Sequence, residues 1–359
     1  MSNPNFENHI KSTADMLKEF NPKMKESTLK TYKRMISRYY YMLGTNKEKK
    51  LKMTLNAGVM PMCLMDTQER LKEIENYPWK DSTKKNYISL LCSITKAFAV
   101  LHLEQTDFEK NTTYADYRKA FDILKASNAG KQEKQEPKEN EVALKELSMD
   151  MLNKSLSYHY NKIRKSDSKD IESALLYLLG SLHIDQVLRN ECAGMLITKE
   201  WLPLEEHKDT NFIWLKGRNV KVMVIRNNKV RNPEMGHEPK EVFLKGQVNT
   251  AINKYIQVLK NIYGEHLQDD IRLVHSNHFT NSASSWDGSE NISSSHYSQV
   301  FKRIWKHKEL ELTTTSIRKV YAMDIRKEYG GNLLKEKEAC AKLDHSQETH
   351  NSFYILNWD

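Results

Sequence analysis

Apolar residues recur at helical spacing through most of this chain, and one central stretch breaks the rhythm with short apolar runs. In STLKTYKRMISRYYYML (27–43), Ser27 or Thr28 can cap a helix whose Leu29, Tyr32, Ile36, Tyr39 and Leu43 share a face. PMCLMDTQERLKEIENY (61–77) opens on a proline suited to a first helical turn, and DSTKKNYISLLCSITKAFAVLHL (81–103) opens on an Asp-Ser-Thr cap. TTYADYRKAFDILKA (112–126) completes four short helices with Lys-rich outer faces, which predicts a small bundle. AGKQEKQEPKENE (129–141) is charged, contains Pro and has no apolar period. It is expected to be an exposed linker between a helical domain, 1–128, and a second domain, 142–359.

The second domain changes character. Helical pattern runs through 144–164 and 171–188. NFIWL (211–215), KVMVI (221–225) and EVFL (241–244) then read as strands, rich in β-branched and aromatic residues and separated by Gly, Asn and Pro. Helical pattern returns at 247–267 and dominates to the end, apart from the Ser-rich 281–296, expected to be a mobile loop. The expected fold class is mainly α with a small antiparallel β-sheet, an α+β arrangement.

Composition narrows the classes. A length of 359 residues favours two domains, and 39% hydrophobic with 29% charged residues suits a globular chain. No apolar run reaches the 18 residues a membrane span needs, and the first twenty residues lack the apolar core of a secretory signal. Cys63, Cys92, Cys192 and Cys340 stand far apart, so a disulfide framework is not expected and the compartment should be reducing. The pairs His345/His350 and His275/His278 lack a third ligand, so no metal is expected. The net charge of +9, with a pI near 9.0, favours polyanionic partners.

Three segments carry candidate chemistry. KLDHSQETHNSFYIL (342–356) holds His345 and, nine positions later, Tyr354; TTTSIRKVYAMDI (313–325) holds Arg318; DQVLRNECAGMLI (185–197) holds Arg189 just after a Leu-rich helix. In this order they resemble the tyrosine recombinase (phage-type integrase) family. LRNEC matches its first arginine box, TSIR its His-x-x-Arg box with Thr315 in place of the His, and LDHS with Tyr354 its His-to-Tyr spacing. The family also uses a lysine on the hairpin between the first two boxes. Lys229 sits where the two strands should turn, with Lys221 and Lys240 as alternatives. STLKTYKRMI (27–36) and DSTKKNYISLLCSI (81–94) look like the family's helical core-binding domain, so the resemblance extends over nearly the whole chain.

The resemblance implies a C-shaped clamp on double-stranded DNA, acting inside the cell at DNA. The setting would be the cytoplasm of a prokaryote, or the nucleus or viral factory of a eukaryotic host. It implies site-specific integration or excision of a mobile or viral element by four protomers on two sites, with no cofactor and no membrane. Arg189 and Arg318 would clamp the scissile phosphate, since each guanidinium is always charged and grips phosphate as a bidentate fork. Lys229 would protonate the 5′-oxygen, His345 would bond the phosphate or assist proton transfer, and Tyr354 would form a 3′-phosphotyrosine bond.

Two departures matter. Thr315 can donate a hydrogen bond but cannot act as an acid or base near neutral pH. Asp344 replaces the usual Gly before His345 and is expected to face away from the phosphate. Only ILNWD follows Tyr354, so assembly contacts are expected elsewhere. A type IB topoisomerase or a telomere resolvase would share the chemistry; a non-catalytic DNA-binding protein derived from the fold is the alternative from another class.

Overall fold

The computed structural model describes residues 4–43, 66–104, 111–134, 143–217, 219–228, 238–274, 294–330 and 332–344. The chain divides into two compact units, Met1–Gln135 and Glu136–Asp359. It is mainly helical with one small sheet. No helix among the described residues is long and apolar enough to cross a membrane.

The first unit contains α1 (Pro4–Phe20), α2 (Glu26–Leu43), α3 (Thr67–Asn76), α4 (Asp81–His102) and α5 (Thr112–Lys134). α4 forms its centre because Tyr87, Ile88, Leu90, Leu91, Ile94 and Ala97 give it an apolar face wide enough to meet several neighbours. Trp79 stacks on Tyr87 with ring centroids 4.2 Å apart. α1 is a helix that the apolar pattern did not announce. Among the described side chains its buried face includes Thr13, Ala14, Met16 and Leu17. α5 runs to Lys134, so the first part of the expected linker is helical. Charge alone did not stop the helix, because Lys, Glu and Gln are good helix formers.

The second unit is built around α8 (Ile171–Gln186), buried along most of its length. A helix apolar on nearly every side must be covered on nearly every side. α6 (Met149–Ser155), α7 (Ser157–Ile163), α9 (Gly246–Tyr263), α10 (Ser294–Lys302) and α11 (Thr314–Tyr329) pack against it, and α12 (Leu333–Lys342) packs on α11. The stretch expected as one helix over 144–164 is a 3₁₀ turn, Ala143–Glu146, followed by α6 and α7. Ser148 caps α6, accepting from the Met151 amide.

The sheet is mixed, which corrects the expected antiparallel one. Its strands are β1 (Leu196–Thr198), β2 (Phe212–Trp214), β3 (Lys221–Ile225), β4 (Lys240–Leu244) and β5 (Ile271–Arg272), in the order β4-β3-β2-β1-β5. β1 and β2 are parallel; the other pairs are antiparallel. β1 and β5 are three and two residues long, too short for a period to be read from sequence. β3 is buried at every position because both faces are covered. Met223 and Ile225 face the main core, while Val222 and Val224 join Leu202 and Phe212 on the opposite face. Arg226 secures that second cover, donating to the carbonyls of Leu202, Pro203 and His207.

Burial on α8 predicts an acid sensitivity. The His183 ring lies 2.7 Å from the Tyr297 hydroxyl, and burial pulls its pKa down to about 3. The unfolded chain, with histidine near 6.5, is then the better proton binder between these values. Stability is therefore full above pH 6.5 and falls by about 1.4 kcal/mol per unit below it. His159, lowered first by its own burial, adds in the same direction. Urea unfolding at pH 5 is expected to give about 2 kcal/mol less stability than at pH 7. His183→Gln should lose its share of that slope, and a stability flat across this range would sink the expectation.

Candidate functional site

α8 ends at Gln186 because Val187 turns into the left-handed region, with φ of 50°. This conformation is costly for a β-branched residue, so packing must impose it; the Val187 side chain is fully buried. The turn presents Arg189 at the surface of the core. α11 begins at a capping box in which Thr313 and Ser316 satisfy each other's amides, and Arg318 follows on its inner face. α12 ends just before Asp344, which is also left-handed at φ 48°. Glycine is the usual residue in such a position, and Asp tolerates it better than most.

Arg318 ties these three segments together. Only 2% of it is exposed, and its guanidinium donates to the Val187 carbonyl at 2.8 Å and to the Leu343 carbonyl. Both terminal nitrogens are therefore engaged by backbone in this state. Arg189 is half-buried; its Nη2 donates to the Asp344 carbonyl at 3.4 Å, and its Nη1 is buried with no hydrogen-bond partner among the described residues. It lines a cleft of about 420 Å³ with Asn190, Glu191, Asn211, Asn227 and Asn228. Burial pushes the Glu191 carboxyl up, against the opposing pull of the Arg189 and Arg318 charges.

Thr315 lies in the first turn of α11 and is exposed. Its neighbour Thr314, which sequence reasoning passed over, donates to Asn190 at 3.3 Å and links the α11 start to the Arg189 turn. The helix dipole makes such a start attractive to anions.

The hairpin lysines separate by position. Lys221 opens β3 opposite Leu244, is 2% exposed, and donates to Asn249; it lines a different cleft, with Lys199 and Lys260. Burial lowers its pKa. Lys240 begins β4 opposite Ile225, and its Nζ lies 3.6 Å from Asp344 Oδ1. Asn228, at the end of the same hairpin, donates to Asp344 Oδ2 at 3.3 Å. The Asp344 side chain, expected to face away from the phosphate, is only 14% exposed and is held between the two hairpin residues. The left-handed backbone aims it there while turning its carbonyl toward Arg189. Lys342 is also close in charge terms: burial lowers its pKa, the Lys240 charge adds to that, and Asp185 opposes it.

Arg189, Arg318 and Thr315 thus belong to one neighbourhood, while Lys229, His345 and Tyr354 lie outside the described residues. Sequence reasoning missed Thr314 and Asn228. The one signal pointing beyond the expected set was an Asp in a position that usually demands Gly. The arrangement offers an anion a buried guanidinium nitrogen with no acceptor among the described residues and a nearby helix start. Comparison of the chain with protein-family models, with curated proteins and with solved structures finds no match.

Proposed function

We propose that this protein is a site-specific DNA recombinase of the tyrosine type, cutting and rejoining double-stranded DNA through a 3′-phosphotyrosine bond at Tyr354. One observation carries the reading. Arg318 links the Arg189 turn to the residue two before His345, so motifs 155 positions apart share one anion-binding corner. Phosphoryl transfer asks the protein chiefly for positioning and charge stabilisation, which two arginines and a helix start supply. The phenol of Tyr354 attacks phosphorus, the 5′-oxygen leaves with a proton from a lysine, and the phosphotyrosine bond conserves energy for resealing. The net charge of +9 and the Lys-rich helical unit suit a clamp on the phosphate backbone, with four protomers acting on two sites.

Incubation with nicked duplexes carrying candidate element ends, without divalent metal, should give an SDS-resistant protein–DNA adduct. Tyr354→Phe should give none, because it removes the phenol oxygen proposed to form the bond. An adduct that persists in Tyr354→Phe would defeat the assignment. A second reading, a DNA-binding protein derived from this fold, is favoured by Thr315 in the His position and by both Arg318 nitrogens resting on carbonyls. Specific binding with no adduct would establish it instead.

A further inference from the structure

We propose that Asp344 is a positioning residue that holds Lys240 at the scissile phosphate, making Lys240, rather than Lys229, the lysine that protonates the leaving 5′-oxygen. This rests on the strand-transfer reading and specifies its acid. Asp344 is a bridge: its carbonyl accepts from Arg189, Oδ2 accepts from Asn228, and Oδ1 lies 3.6 Å from Lys240 Nζ. Asn228 and Lys240 stand at the two feet of one hairpin, next to the end of the β3–β4 pairing at Ile225 and Lys240. The carboxylate therefore draws both feet toward the arginine that faces the phosphate. An ammonium has three donors, so Lys240 can keep Asp344 on one and offer another to the 5′-oxygen. Lys221 cannot compete, since it is fixed to Asn249 at the far end of β3.

The step balances. The Tyr354 oxygen bonds to phosphorus, the P–O5′ bond breaks, and the O5′ electron pair takes a proton from the Lys240 ammonium. The neutral amine is recharged by a proton from solvent, which receives the one lost by the phenol. A glycine at position 344 would supply the turn and the carbonyl but no grip on the lysine.

The test uses the full chain and two nicked duplexes that differ only in the 5′-bridging atom, oxygen or sulfur. A thiol titrates near 8.5, far below an alcohol, so a sulfur leaving group needs no acid. Lys240→Ala and Lys240→Arg are expected to form adduct about 100-fold or more slowly on oxygen, and within about threefold of wild type on sulfur. Lys240→Arg keeps the pairing with Asp344, so its loss would not reflect misfolding. Asp344→Asn should lose about tenfold or more on oxygen and also recover on sulfur, a rescue that a merely structural role would not give. The proposal is overturned if the Lys240 variants are equally slow on both substrates, or if sulfur rescues Lys229→Ala and not Lys240→Ala. Wild type that forms no adduct on either substrate would overturn the strand-transfer reading itself.

Discussion

On the proposed strand-transfer reading, Arg189→Ala is expected to slow adduct formation by about 10³-fold while leaving the protein folded, because removing a preorganised donor to a developing oxyanion costs on that scale. In the free protein Arg189 contributes little to stability. Its Nη2 makes one long bond to the Asp344 carbonyl, and its Nη1 is buried with no acceptor among the described residues. A buried donor left unpaired costs about 1–3 kcal/mol, so removing it offsets the bond lost with it. Thermal unfolding should then shift by no more than about 3 °C, since in a unit of this size 1 kcal/mol moves the midpoint by about 2–4 °C. Single-turnover adduct kinetics and a melting curve on the same preparation check both halves. A large drop in melting temperature with near-normal adduct formation would make Arg189 a structural residue.

Arg318→Ala should behave in the opposite way. It strands two buried carbonyls, those of Val187 and Leu343, at about 1–3 kcal/mol each. The left-handed turn at Val187 also loses the bond on its carbonyl. A loss of about 3–5 kcal/mol is expected, hence a midpoint lower by about 10 °C or more. Tryptophan fluorescence of the full chain reports this unit well, because Trp201, Trp214, Trp286, Trp305 and Trp358 fall in it and only Trp79 outside. Arg318→Lys, with one terminal nitrogen in place of two, should fall between wild type and Ala. An Arg318→Ala protein as stable as wild type would show that the three segments hold together without their tether.

Several elements were legible because their information is local. β3 lies where the β-branched run KVMVI placed it, and α8 and α4 follow their apolar patterns closely. The resemblance of LRNEC, TSIR and LDHS to the tyrosine recombinase boxes singled out Arg189 and Arg318, and the structure shows Arg318 reaching the carbonyls of Val187 and Leu343. α1 was not legible as a separate helix, although Met16 and Leu17 are buried in it. Nor were β1 and β5, because a strand of two or three residues exists only through its partners.

What the sequence determined by itself is thus the run of long helices, the central strands and the short list of charged residues. Tertiary structure decided the rest: the parallel pairing of β1 with β2, the backbone carbonyls gripped by Arg318, and which lysine stands near Asp344. The physical reason is one of range. Apolar periodicity reports which side of an element is buried and is written in neighbouring residues. A buried guanidinium or carboxylate must find partners wherever the fold supplies them: the Arg189 guanidinium reaches a carbonyl 155 positions away, and the Asp344 carboxylate accepts from Asn228, 116 positions away.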